Sequence, residues 1–157
     1  MHGKKVSILR SIPGGGKSKW ALDRFEADQD SVIVCSADDY FTNPVTGEYL
    51  FDAKKLGLAH AQCQETFLQA LRSGVPTVIV DNCNSRLWEY RVYVEMAEMM
   101  GYDVEILEFT VPENRVRETI KKINARQVHA VPVTVILRIW WYWETDSRAK
   151  LIPVTFR

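Results

Sequence analysis

The feature that most constrains this chain is a glycine-rich turn set between an apolar strand and the start of a helix. Val6-Ser-Ile-Leu9 reads as a short buried strand, and Ser11-Ile-Pro-Gly-Gly-Gly-Lys-Ser18 follows it almost directly. From Lys17 to about Ala27 the spacing is helical, with Trp20, Ala21 and Phe25 available to a core. Successive glycines let backbone N–H groups converge on one anion, and the helix N-terminus adds its positive dipole end. The pattern corresponds to G-x-x-x-x-G-K-[ST], with Ser11 in place of the first glycine and Gly16-Lys17-Ser18 intact. A turn that merely caps a helix is the bland alternative. The strand–turn–helix context instead predicts a loop that holds the phosphates of ATP. Pro13, Gly14, Gly15 and Gly16 form its wall, Lys17 reaches the β- and γ-phosphates, and the Ser18 hydroxyl holds Mg2+.

The rest of the chain alternates strands with helices. Ser31-Val-Ile-Val-Cys35 is a second apolar run ending in Ser36-Ala-Asp-Asp-Tyr40, and Asn43-Pro-Val-Thr-Gly47 marks a loop. From Asp52 to Arg72, Leu56, Ala59, Cys63, Phe67 and Leu71 recur at three- and four-residue steps, which predicts an amphipathic helix stopped by Gly74. Thr77–Val80 is a third strand, with Asp81-Asn-Cys-Asn84 at its carboxyl end. Asn84 or Ser85 is expected to cap a helix running to Met100, with Gly101 as its C-terminal cap. Val104–Phe109 is a fourth strand. Thr110-Val-Pro-Glu113 has the form of a capping box opening a helix to about Asn124, and Pro132 begins a last helix to about Glu144. Leu151–Arg157 reads as an edge strand or a loose end. This order predicts an α/β fold of P-loop NTPase type, in which helices cover both faces of a mostly parallel, four- to five-stranded sheet. One domain spanning residues 1–157 accounts for every element.

Composition narrows the class. Lys and Arg number 20, balanced by 20 Asp and Glu, so net charge does not argue for a polyanion partner, and any such site must come from local clustering. The cysteines, Cys35, Cys63 and Cys83, have no paired spacing, which fits reduced thiols in a cytoplasmic protein. The basic N-terminus is followed only by a strand-length apolar run, so a signal peptide is not expected, and no stretch approaches the ~20 apolar residues of a membrane span.

In open α/β sheets ligands sit beyond the carboxyl ends of the strands. Asp38 and Asp39 follow the second strand and Asp81 ends the third, so these carboxylates are expected to face the phosphates held by the loop. A carboxylate there can take a proton from an attacking hydroxyl or orient Mg2+ and its waters. Turn and strand-end chemistry is the alternative reading of each alone. Asn82 stands after Asp81 where ATP-hydrolysing motors usually place a glutamate, which favours transfer to a bound acceptor over hydrolysis.

Pro13-Gly-Gly-Gly-Lys-Ser18, Asp38-Asp-Tyr40, Asp81-Asn-Cys-Asn84 and Asn124-Ala-Arg126 with Ala130-Val-Pro132 occur in an order that resembles the P-loop polynucleotide kinase family. That family includes the kinase half of the bacteriophage polynucleotide kinase-phosphatase and related small P-loop kinases. Asp52–His60 resembles a helix of its eukaryotic and bacterial branch, and the resemblance extends over about residues 4–144. It implies that Lys17 and Ser18 serve ATP and Mg2+, and that Asp38 is the general base on the acceptor hydroxyl. It further implies that Asp81 orients the acceptor side, and that Arg126, in a helical lid at about residues 125–131, closes on the donor phosphates. Residues 113–138 hold six basic side chains (Arg115, Arg117, Lys121, Lys122, Arg126 and Arg138) against Glu113 and Glu118, an excess suited to a phosphate-rich ligand or to a solvated helix face.

Phe41 departs from the phage pattern, standing where that enzyme grips the acceptor's phosphate with an arginine. Arg86 is a substitute for that grip, or Phe41 stacks on a base instead. The implied activity is ATP-dependent phosphate transfer to a nucleic-acid hydroxyl, a polynucleotide 5′-hydroxyl first. A hydroxymethylated base in phage DNA, a nucleoside or another small molecule are alternative acceptors, and a non-catalytic nucleotide switch is a further alternative. Trp140-Trp-Tyr-Trp143 covers too wide an arc of helix for one face, so part of it is expected in the core and part in a homo-oligomer contact, with a base-stacking platform as the competing reading.

Overall fold

Alternation along each strand sends successive side chains to opposite faces of a sheet, and this chain uses both faces. The computed structural model describes residues 3–110, 117, 118, 120, 121 and 131–153. Its strands are β1 (Lys5–Arg10), β2 (Val32–Cys35), β3 (Thr77–Asp81), β4 (Asp103–Thr110) and β5 (Ala149–Pro153). They form one sheet in the order β2-β3-β1-β4-β5. Every pairing is parallel, with Ile8 opposite Val80 on one side and Ile106 on the other. A parallel sheet needs cover on both faces, which its crossover helices supply.

Val6, Ile8, Val78, Val80 and Ile106 point to one face and meet Ala59, Cys63, Phe67, Ala70 and Leu71 of α2 (Leu56–Arg72) and Tyr90, Tyr93, Val94 and Ala97 of α3 (Leu87–Met99). Leu9, Ile79, Leu107 and Phe109 point to the other and meet Ala21, Trp20 and Phe25 of α1 (Lys17–Ala27). The result is the expected three-layer α/β/α arrangement. A third, smaller cluster joins Ile12 of the glycine loop to Ile120 and to Ile136 of α4 (Val133–Trp141).

Several boundaries differ from expectation for identifiable reasons. The long helix starts at Leu56, after a 3₁₀ turn (Ala53–Lys55) capped by Asp52, so Leu56 lies in the first turn and stays exposed while the later members of its stripe are buried. Gly74, at φ 73°, ends that helix while Val75 N–H donates to Ala70 O, the expected glycine stop. Neither Asn84 nor Ser85 caps α3; that position is Arg86, because Asn84 takes a left-handed φ of 50° and turns its amide to Leu9 O. Gly101 closes the helix with φ 78° as expected. The last helix ends at Trp141, short of Glu144. The tail forms β5, parallel to β4 and starting at Ala149, two residues before the expected edge strand. Arg117, Glu118, Ile120 and Lys121 are helical. The capping box at 110–113, the helix end near Asn124 and the lid at 125–131 fall wholly or mostly outside the described residues, although Thr110 and Val131 are described.

Arg10, the last residue of β1, is fully buried. Its Nε donates to Asn84 O at 2.8 Å, its Nη atoms to Glu108 Oε1, Ser85 O and Glu144 O, and its guanidinium lies 5.0 and 4.7 Å from the ring centres of Tyr90 and Trp143. Removing one member of a buried, hydrogen-bonded ion pair strands the others. Arg10→Met is therefore expected to lower the unfolding free energy by about 3–5 kcal/mol in urea denaturation.

Candidate functional site

The glycine loop begins where β1 leaves the sheet. Ser11 N–H donates to Cys83 O at 3.1 Å, so the loop's first residue is hung on the segment after β3. Gly14 and Gly16 have φ of 79° and 97°, a region that favours glycine, and α1 starts at Lys17 immediately after. Ser11 is buried, and its Oγ donates to Ile12 O. A side chain at Gly15 would put its Cβ 1.8 Å from that Oγ. The serine that replaces the pattern's first glycine thus fills the space under the loop, and Gly15 is left none.

Around the loop's exit stand the charges. Lys17 Nζ lies 3.4 Å from Asp81 Oδ1, with both side chains about nine-tenths buried, and Ser18 Oγ donates to Asp81 Oδ2 at 2.9 Å. Burial works against the Lys17 charge, but Cys83, Asp81 and Asp38 outweigh it and hold the ammonium above its ordinary value. Burial also pushes the Cys83 thiol up, while the Lys17 charge beside it pulls it down. Apart from the Lys17 ammonium, Asp81 Oδ1 is a buried oxygen with no hydrogen-bond partner among the described residues. With the Ser18 hydroxyl beside it, this makes a hard-oxygen donor pair that fits Mg2+. The sequence expects Asp81 on the acceptor side; in the structure its contacts are with Lys17 and Ser18 at the exit of the glycine loop.

Asp38 and Asp39 sit in a 3₁₀ turn (Ala37–Phe41) whose first N–H groups are capped by Ser36 Oγ, received from Asp38 N–H, and by Asn82 Oδ1, received from Ala37 N–H at 2.9 Å. Asp39 is raised by burial and by the charges of Asp38 and Asp81, so the two strand ends face one another electrostatically. The four residues that close β3 and follow it thus make four separate contacts. Asp81 meets the loop, Asn82 ties down the acidic turn, Cys83 O holds Ser11, and Asn84 bridges Leu9 and Arg10.

Phe41 is 6% exposed and packs between Tyr40, Tyr49 and Phe51, so it does not stack on a base. Arg86 lies 5.5 Å from the Tyr142 ring, directed at that ring. Arg126, Arg115, Lys122 and Glu113 lie outside the described residues. Trp140 and Trp143 pack toward Ile12 and Ile136, whereas Trp141 and Tyr142 are 74% and 56% exposed. A cavity of about 450 Å3 opens between Ile12, the end of β4 (Glu108, Phe109, Thr110) and Trp140, Trp141 and Trp143.

Sequence reasoning missed Arg10 and Tyr49. Arg10 was legible as a charge where β1 runs into the loop. Tyr49 could have been found from the turn formers 43–47, because a hairpin there returns residue 49 to the acidic turn. Tyr49 Oη donates to Asp38 Oδ1 at 3.1 Å. No cluster of three or more metal-ligating side chains occurs among the described residues, and none of their helices is long and apolar enough to cross a membrane.

This sheet order, with a glycine loop after its central strand and acids at the neighbouring strand ends, is the fold of small P-loop kinases. The chain belongs to the AAA domain family, which matches residues 6–139. It is 32% identical over 150 residues to the human NEDD4-binding protein 2; the match takes in 96% of this chain and 8% of that protein, so the chain spans a small part of its relative's length. Among solved structures it resembles a chain of the Pnkp1/Rnl/Hen1 RNA repair complex (TM-score 0.66, 21% identity, 90% of this chain and 44% of that one). It also resembles a gluconokinase from Sinorhizobium meliloti 1021 (TM-score 0.60, 13% identity, 99% and 85%). At these identities the structural likeness establishes the fold.

The loop's packing yields a paired test. Gly15→Ala is expected to weaken ATP binding roughly tenfold or more, from ~1–3 kcal/mol of overpacking. Adding Ser11→Gly should recover part of the loss in calorimetry, since the contact to Ile12 O at 3.1 Å persists.

Proposed function

We propose that this chain is an ATP-dependent phosphotransferase that moves the γ-phosphate to a hydroxyl of a nucleic acid, a polynucleotide 5′-hydroxyl first. The observation that carries the reading is the Lys17–Asp81–Ser18 cluster at the mouth of the glycine loop, with Asp38 near enough to act on the same lysine. The backbone N–H groups of residues 13–16 receive the donor phosphates and Lys17 balances their charge. Ser18 and Asp81 would hold Mg2+, which would supply neutralisation of the phosphate charge. Asp38 takes the proton of the acceptor hydroxyl as that oxygen bonds to the γ-phosphorus. The bond from phosphorus to the bridging oxygen breaks, and its electron pair leaves on ADP. Arg126, carried over from the family pattern, closes on the donor phosphates. The base of ATP lies in the cavity beside Trp141, on the far side of the loop from Asp38.

Asn82 supports transfer over hydrolysis. Its amide is engaged with Ala37 N–H and with Cys63 Sγ, so the position after Asp81 serves the acidic turn and offers no carboxylate to activate water. The similarity to a chain of the RNA repair complex lends nucleic acid as the acceptor class. A second reading, with a small molecule or a modified base as acceptor, draws on buried Phe41, which leaves no phosphate grip at that position. We further propose that residues 1–157 act as one domain in the cytoplasm, where free Cys35, Cys63 and Cys83 stay reduced, and that any self-association uses exposed Trp141 and Tyr142.

Labelled ATP offered to 5′-hydroxyl oligonucleotides, duplex with hydroxymethylated bases, nucleosides and sugars identifies the acceptor; transfer to none of them would sink the enzyme reading. Asp38→Asn should lower kcat by about 10²–10⁴ while leaving ATP affinity unchanged. Trp141→Ala should cost roughly 1–3 kcal/mol of ATP affinity by fluorescence titration, and an unaltered Kd would place the base elsewhere.

A further inference from the structure

Residues 41–51 form a hairpin beside the acidic turn. Thr42 and Tyr49 pair as an antiparallel bridge, Asn43 N–H donates to Glu48 O, and Leu50 N–H to Phe41 O. The turn is held by Asn43 Oδ1, which accepts from Val45 and Thr46 N–H, and by Gly47 at φ 74°. The Tyr49 ring packs edge-on to Phe41 at 6.2 Å and stacks near Phe51 at 6.5 Å, so the hairpin delivers its hydroxyl to a fixed place. That place is Asp38 Oδ1, while Thr42 Oγ1 donates to Asp38 O and ties the same residue's backbone.

We infer that Tyr49 is a positioning residue for phosphate transfer: its hydroxyl engages one oxygen of Asp38 and leaves the other, Oδ2, to take the acceptor's proton. Asp38 is an exposed side chain on a short turn, and without a partner it would spread over several rotamers. A base must sit within hydrogen-bond reach of the proton it removes, and small misplacements cost rate steeply. Burial and the Asp38 charge push the Tyr49 hydroxyl up to about 12, so it stays a donor across the physiological range. The inference rests on the reading of Asp38 as the general base.

Tyr49→Phe retains the ring and its packing and deletes only the donor. With the acceptor found in the panel, it is expected to lower kcat about tenfold, with ATP affinity and the thermal midpoint unchanged. In an Asp38→Asn background the same change should have no further effect, as expected for residues acting as one unit. Tyrosine labelled at ring carbon ζ supplies a readout free of turnover: the resonance lost in Tyr49→Phe should shift in Asp38→Asn. A wild-type kcat in Tyr49→Phe, or a resonance indifferent to Asp38→Asn, would overturn the positioning role while leaving the base assignment standing. Full turnover in Asp38→Asn, or no transfer to any acceptor, would remove the base assignment and the positioning role together.

Discussion

One guanidinium, that of Arg10, is the interaction on which the site's geometry depends. A charge buried at the end of a central strand is costly unless paired and fully hydrogen-bonded. Glu108 on β4 supplies the opposite charge, and the carbonyls of Asn84, Ser85 and Glu144 take the remaining donors. Those acceptors come from three segments far apart in sequence, and each borders the loop that starts one residue later. Glu108 Oε1 also accepts from Trp143 Nε1, and the Leu87 N–H at the start of α3 donates to Glu144 Oε1. The network therefore sets where the loop begins, where α3 begins, and how the Trp140–Trp143 segment seats against Ile12.

With its base pinned, the glycine loop needs little else. Ser11 hangs from Cys83 O and fills the volume beneath Gly15, while Ile12 is held from above by Ile120 and Ile136. The segment after β3 touches the loop, the acidic turn and Arg10 at successive residues, which is why Asp81-Asn-Cys-Asn84 works as a block. A change at Asn84 would reach Arg10 and the loop together, and a change at Asn82 would reach the acidic turn.

The architecture was legible in the sequence because its signals are local and periodic: apolar strand runs, the α2 stripe from Ala59 to Leu71, and glycines 74 and 101 at helix ends. Lys17, Ser18, Asp38 and Asp81 were legible as candidates because a known loop pattern and strand ends mark their positions. What could not be read was the set of long-range pairings. Arg10 meets residues more than 70 positions away, and no period or motif announces them. Phe41 stayed open for the same reason: an aromatic beside an acidic turn is equally suited to a ligand or to a core, and here three aromatic neighbours bury it. Strand-end position alone likewise does not say which neighbours a carboxylate meets, and for Asp81 they are Lys17 and Ser18.

These differences divide the site into two parts of unlike construction. Around the glycine loop, buried Lys17, Asp81 and Arg10 are locked by the sheet. Next to it, a 3₁₀ turn and a short hairpin carry Asp38 and Tyr49, with Leu50 and Phe51 exposed beside them. Surface hairpins change in sequence and length more readily than a parallel sheet does. A fold that seats a rigidly held glycine loop beside such a hairpin can keep the loop while the hairpin changes. Under the proposed function, acceptor preference would be set by the hairpin at residues 41–51 beside Asp38, and exchanging that hairpin should change the acceptor while leaving the contacts of Lys17, Ser18 and Asp81 in place.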